Sequence, residues 1–353
     1  MNLKKNALLL VLTTFIFTSC TNDDDVNEQL PQGNYENGIL VSHEGNFGKG
    51  NASVSFVSYD LTTVENDIFD FTNMKPLGDT AQSIAFKDNL AFIVLNASNT
   101  IEIVNRYTFE SVATIDSGLK NPRYIAFSNG KGYVTNWGDG SDATDDYVAV
   151  IELSTNTLAS TTISVEEGPE EIIATGNTIY VAHQGGFSQN NKVSVINSNS
   201  DLVTSTITVG DVPNSLQLDA SGNLWVLCGG KPAWTQSETA GQLFKINTTT
   251  NTSTSMDFSS TEHPNLLLIE GTELYYYLGG SIFKMDTSAT VLPTSSEITD
   301  VDFREMSINN NILYGVNAGD FTSNGTLTSY DLTTNTLVNT ATINIIPGGI
   351  YFN

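Results

Sequence analysis

Three histidines, His43, His183 and His263, are the only imidazoles in the 353-residue chain, and imidazole suits both metal ligation and proton transfer near neutral pH. They lie far apart in sequence without a further ligand at a short fixed spacing, so the pattern favours hydrogen bonding or a structural role over a three-histidine metal centre. Asp139, Asp142, Asp145 and Asp146 gather four carboxylates in one stretch. Calcium accepts such oxygen ligands, but the spacing is not that of an EF-hand, and a solvated acidic loop is the simpler reading. Cys228 ends the apolar run Leu224-Trp-Val-Leu-Cys228, where a buried inert thiol is favoured over a nucleophile. There is no Gly-x-Ser-x-Gly elbow, phosphate loop or dinucleotide fingerprint. These residues point away from an enzyme, and they require neither metal nor cofactor.

Recognition chemistry is better represented. Five segments combine glycine with an aromatic and an amide or imidazole: His43-Glu-Gly-Asn-Phe-Gly48 onward, Asn136-Trp137 to Asp146, His183 to Asn191 with Phe187, Gly229 to Gly241 with Trp234, and Asn317 to Gly325 with Phe321. Aromatic faces beside a few amide, imidazole and charged groups make up a small-molecule site. The candidate ligand contacts are His43, Glu44, Asn46, Phe47, Trp137, His183, Phe187, Trp234 and Phe321, together with Arg123 and Arg304.

The elements that must position them follow from a repeat. A proline-like position followed three residues later by Ile, Leu or Met occurs at Ala81-Gln-Ser-Ile84, Pro122-Arg-Tyr-Ile125, Pro169-Glu-Glu-Ile172, Pro213-Asn-Ser-Leu216, Pro264-Asn-Leu-Leu267, Phe303-Arg-Glu-Met306 and Pro347-Gly-Gly-Ile350. The seven copies are 41, 47, 44, 51, 39 and 44 residues apart, the signature of a propeller or a related array. Each copy opens a unit with three further short runs that are rich in β-branched and aromatic residues and bounded by turn residues, as in Leu90–Val94, Ile101–Val104 and Ser111–Ile115. Four strands per unit make a propeller blade. No window sustains the 3.6-residue period, so helix should be nearly absent.

The predicted fold is therefore an all-β, seven-bladed β-propeller with four-stranded blades over residues 37–353. The copy at Pro347 has no unit after it and the strand at Ile39 has none before it, so the C-terminal strand is expected to close the first blade. In an antiparallel meander, the loops entering the innermost strands share a rim with the loops joining second and third strands. That rim carries the five long segments, and insertions gathered on one rim mark a binding face. The motif adds Gln82, Tyr124, Glu170, Glu171, Asn214, Asn265 and Glu305 to the two arginines near the mouth, and strict alternation would let at most half of them face it. Gly348 and Gly349 are expected to leave room there.

The formal net charge of -25, from 14 basic and 39 acidic residues, excludes a nucleic-acid binder, which must neutralise phosphates. At the N-terminus, Lys4 and Lys5 precede an apolar run from Ala7 to Phe17 that is short for a bilayer span. Residues 1–19 read as a signal peptide. Thr18-Ser-Cys20 resembles a bacterial lipobox, with Phe17 where that pattern prefers Leu, which implies lipidation of Cys20. Residues 20–36 read as a lipidated flexible tether. Its run Asn22-Asp-Asp-Asp25 resembles the surface-export signal of Bacteroidetes lipoproteins, which implies an anchor in the outer membrane facing the exterior.

Ile39-Leu-Val-Ser-His-Glu-Gly-Asn-Phe-Gly48, with Asn51-Ala-Ser-Val-Ser55, Tyr59-Asp60 and the recurrent Pro-x-x-Ile and Val-x-Val-Ile runs, resembles the YncE-like propeller lipoproteins of Bacteroidetes over residues 36–353. The resemblance implies a surface protein that captures a corrinoid (vitamin B12) and delivers it to a TonB-dependent outer-membrane transporter. A propeller enzyme of lyase or lactonase type and a protein-interaction scaffold are the alternatives. The first would need a metal or polar catalytic cluster in the mouth, and the second a flat apolar rim.

Overall fold

The computed structural model describes residues 32–353, which form one compact unit. The signal peptide, Cys20 and most of the tether lie outside the described residues. Each blade begins with the motif strand at the centre. The first blade orders Pro347–Phe352, Ile39–His43, Ser53–Val57 and Val64–Glu65 from the inside out, and the second Ala81–Lys87, Leu90–Leu95, Thr100–Asn105 and Ser111–Ile115. The third runs Pro122–Ser128, Lys131–Asn136, Tyr147–Glu152 and Thr157–Ser164; the fourth, Pro169–Thr175, Thr178–His183, Lys192–Asn197 and Leu202–Thr208. The fifth comprises Pro213–Leu218, Asn223–Cys228, Gln242–Asn247 and Ser253–Asp257, and the seventh Glu305–Asn309, Ile312–Asn317, Asn324–Asp331 and Thr336–Ile345.

The sixth blade departs from the expected four strands. Asn265–Glu270, Glu273–Leu278 and Ser281–Asp286 form a three-stranded sheet, and the outer position is reduced to one bridge between Ile282 and Ile298. The intervening segment contains Leu292-Pro-Thr-Ser-Ser296, and proline cannot donate to a ladder. Among the described residues the α-helical content is one short helix, Ile68–Asn73, between the first two blades.

Seven apolar clusters fill the seven junctions between neighbouring blades. Alternation along the second strands explains how. In the fifth blade Leu224 and Val226 pack with Tyr180 and Val193 of the fourth, while Trp225 and Leu227 pack with Leu274 and Tyr276 of the sixth. Successive side chains therefore enter opposite junctions. A strand covered on both faces reads as a continuous apolar run, which accounts for Leu224–Cys228. The outermost strands, such as Ser111–Ile115, are largely open to water.

The ring closes as expected. Ile39 pairs with Phe352, Leu40 with Tyr351, Val41 with Ile350 and Ser42 with Gly349. The junction of the first and seventh blades then buries Ile39, Val41, Val316, Leu327 and Ile350. The body begins slightly before residue 37: Tyr35 is buried in the junction between the first two blades, and its amide donates to the Tyr107 carbonyl at 3.0 Å.

Candidate functional site

The motif strands do not alternate strictly at their entry. Pro122 pairs with Asn136 but Ile125 with Val134, so three steps on the inner strand face two on its partner. The same shift occurs at Ala81/Ser83, Pro169/Ile172, Pro213/Ser215, Asn265/Leu268 and Pro347/Gly349. An extra residue of this kind is a β-bulge, which bends the strand and re-aims side chains. The expectation that at most half of the polar motif residues face the mouth is therefore corrected. Consecutive Glu170 and Glu171, and consecutive Arg304 and Glu305, all line one cavity of about 270 Å³, together with Tyr124, Asn214 and Asn265.

In register, the motif builds two rings that are polar at most positions. Its second positions are Gln82, Arg123, Glu170, Asn214, Asn265, Arg304 and Gly348; its third positions are Ser83, Tyr124, Glu171, Ser215, Leu266, Glu305 and Gly349. Bonds from blade to blade staple the rings: Ser83 Oγ donates to the Arg123 carbonyl at 2.7 Å, and Asn214 Nδ2 to the Pro264 carbonyl at 2.9 Å. Arg123 forks onto Glu170 with Nη2–Oε1 at 2.6 Å and Nε–Oε2 at 2.8 Å, the bidentate geometry that a planar guanidinium favours. Its guanidinium also sits 4.3 Å from the Trp137 ring centroid, and Trp137 Nε1 donates to the Pro169 carbonyl at 3.1 Å. Across the mouth Arg304 pairs with Glu44 at 2.5 Å, 5.5 Å from the Phe321 ring. Arg123, Glu44 and Arg304 are thus engaged with protein partners.

A second cavity, of about 200 Å³, contains Glu171 and Glu305 beside Ser83, Tyr124, Gly348 and Tyr351. Both carboxyls are enclosed by protein, yet the channel leaves them partly open to water. Burial first, and then the charges of Glu305 and Glu170, raise Glu171 to about 8. Burial likewise raises Glu305 to about 7, against the opposing effects of the Met306 amide and Arg304. The room expected beside both glycines is half filled. A Cβ on Gly349 would lie on the Tyr351 hydroxyl, whereas Gly348 faces Glu44.

His43 and His183 are corrections to the candidate contacts. Each ends the second strand of its blade with the ring turned inward and fully buried. His43 Nε2 lies 2.8 Å from Ser55 Oγ, and His183 Nε2 lies 2.9 Å from Ser194 Oγ, the same diagonal cross-strand pair in the first and fourth blades. Burial lowers both rings to about 3, with backbone groups pulling weakly the other way, so they are neutral structural residues. His263, elsewhere on the rim, meets the Gly229 carbonyl and Glu238.

The expected rim exists. Thr80 N donates to the Glu44 carbonyl, Trp137 N to Asn121, Gln184 N to Gly168 and Gly229 N to Val212, each bond linking a second-to-third-strand loop to an entry loop. On it Phe47, Phe187, Trp234 and Phe321 are 81, 77, 73 and 50% exposed. Phe187 reaches the neighbouring loop, edge-on to Trp137 at 6.3 Å and over Gly140. Asn46 ties the closing seam, donating from Nδ2 to the Phe321 carbonyl at 3.2 Å.

The acidic loop is internally satisfied. Lys120 lies 3.6 Å from Asp139 and 3.5 Å from Asp145; Asp145 accepts the Asp139 amide, and the buried Asp146 accepts the Gly168 amide. Among the described residues no group of three or more His, Cys, Asp or Glu side chains is placed to hold a metal. Cys228 is buried, which pushes its thiol far up. Tyr351 went unnoticed in the sequence as a wall of the channel, although its place two residues after Gly349 in the closing copy of the motif was the available signal.

A family model described as a domain of unknown function, DUF5074, matches residues 37–343. The chain belongs to the DUF5074 family. That match runs from the first blade into the outermost strand of the seventh and stops short of the closing strand. No curated protein matches the chain. Among solved structures, a quinoprotein alcohol dehydrogenase-like protein from Bacteroides thetaiotaomicron superposes with a TM-score of 0.67 at 14% identity, covering 91% of this chain and 79% of that one. The computationally designed protein Ika8 gives 0.57 at 11% identity over 88% of each chain. AztD from Citrobacter koseri gives 0.53 at 10% identity over 89% of this chain and 96% of its own. At such identities these likenesses establish the shared fold for this DUF5074 protein, and its chemistry has to be argued from its own residues.

Proposed function

We propose that this propeller is a non-enzymatic lipoprotein of the outer membrane, anchored through Cys20 and facing the cell exterior. In this reading it holds a nutrient ligand on its rim for a TonB-dependent outer-membrane transporter. The observation that carries the reading is the set of exposed aromatics Phe47, Phe187, Trp234 and Phe321 on one rim. They surround a mouth lined by amides and charges, and large exposed apolar side chains gathered around a polar concavity mark a binding site. A corrinoid is the favoured ligand, because its broad apolar faces and peripheral amides complement aromatic loops beside Asn46, Asn214 and Asn265. The sequence resemblance to corrinoid-capturing propellers supports the same choice. Titration of purified residues 32–353 with cyanocobalamin, followed by calorimetry, tests it. Saturable binding at micromolar concentration is expected, and no binding in that range would end the corrinoid version.

A further inference from the structure

We propose that the central channel is a second binding site, which takes an alkylammonium group between the side chains of Glu171 and Glu305. The site lies among the motif strands and does not depend on what the aromatic rim holds.

The two arginines of the mouth are already committed, Arg123 to Glu170 and Arg304 to Glu44. Asn214 Nδ2 is committed to the Pro264 carbonyl. None of these donors is left for Glu171 or Glu305. Glu171 makes no hydrogen bond or ion pair with any described residue, and Glu305 accepts only the amide of Met306. Asn265, which lines the same cavity, has its Oδ1 buried without any hydrogen-bond partner. A buried acceptor left unmatched, as this one is, costs free energy, and a cavity that sets two carboxyls without protein donors beside it fits a ligand rich in donors.

Charge and shape narrow the class. Two neighbouring carboxyls that form no ion pair with any described residue, the two nearby arginines being paired elsewhere, favour a cation. The absence of a third carboxylate or imidazole at ligand distance among the described residues is a poor match to the six or more oxygens that calcium takes. An ammonium has three N–H donors on one small centre, which suits the space beside Glu171, Glu305 and Tyr124. The groups facing Glu171 are Glu305, Glu170, Arg123, Tyr124 and Tyr351. The raised proton affinity of both carboxyls means that an entering cation displaces protons, so binding should tighten as pH rises from 6 to 8.5.

The test uses n-butylammonium chloride as the probe on residues 32–353. The melting temperature is followed at pH 8 against sodium chloride of equal ionic strength, with tetramethylammonium chloride as a cation lacking N–H donors. The expected result is a stabilisation by n-butylammonium that tetramethylammonium does not reproduce, that fades at pH 6, and that is lost in the Glu171→Gln/Glu305→Gln variant. Glu171→Gln alone serves if the double variant does not fold. Equal stabilisation of wild type and variant, equal stabilisation by tetramethylammonium, no stabilisation at all, or a carboxyl-dependent response to calcium chloride alone would each overturn the proposal.

Discussion

The Arg106 guanidinium holds the side chain of Asn353, 247 positions later in the chain, by donating Nε to its Oδ1. Arg106 Nη2 also donates to the Phe352 carbonyl at 3.3 Å, its guanidinium lies 3.7 Å from the Phe86 ring, and Asn353 Nδ2 returns a bond to the Arg106 carbonyl at 2.8 Å. The closing strand is thus fastened to the second blade as well as to the first. Asn353→Ala should cost roughly 1–3 kcal/mol, the penalty for leaving partly buried polar groups unpaired. Deleting residues 347–353 should cost far more, since it strips Ile350 and Phe352 from the junction with the seventh blade. Urea unfolding measures both, and an unchanged midpoint in the deletion would refute ring closure.

The buried histidines should weaken the fold in acid. Their folded pKa of about 3 lies below the ordinary value of 6.5, so their contribution is complete above pH 6.5 and is lost as pH falls toward 3. Each tenfold difference in proton affinity is worth about 1.4 kcal/mol. His183→Gln keeps a polar group near Ser194 but cannot take up a proton, so its melting temperature should fall less steeply between pH 6 and 4 than that of the wild type. A parallel acid limb would show that His183 does not titrate on unfolding.

The channel carboxyls act with the opposite sign. Their folded pKa values of about 8 and 7 exceed the usual 4.5, so their contribution is complete below pH 4.5 and is lost as pH rises toward 8. Because water reaches both, replacing Glu171 by Gln should stabilise the fold at pH 8 by only about 1–2 kcal/mol. At pH 4 it should do almost nothing. Thermal melts across that range check it, and a stabilisation independent of pH would rule out ionisation of the enclosed carboxyl as its cause.

The rim aromatics separate binding from folding. Trp234→Ala and Phe47→Ala remove exposed side chains and should change stability by less than about 0.5 kcal/mol, while weakening cyanocobalamin binding in the same calorimetric titration. Trp137→Ala should behave differently. It loses the Arg123 contact and the bond to Pro169, and should lower stability by about 1–2 kcal/mol. Unaltered ligand affinity in both Trp234→Ala and Phe47→Ala would remove the rim from the function.

Much of the fold was legible in the sequence. The Pro-x-x-Ile copies set the blade count and the closure by Pro347–Phe352, because each blade must bury both faces against neighbours and so repeats its apolar pattern. The same pattern placed Phe47, Phe187, Trp234 and Phe321 on one rim, since antiparallel order alone assigns loops to sides. Three things were decided only in the tertiary structure. The bulges at the motif entry turned both Glu170 and Glu171 toward the channel, which a two-residue period forbids and only a paired partner strand reveals. The rings of His43 and His183 turned inward to Ser55 and Ser194, because the last residue of a strand faces either the loop or the junction according to its register. And Arg123 and Arg304 met Glu170 and Glu44 across blade boundaries, pairings between residues 47 and 260 positions apart that exist only once the ring has closed.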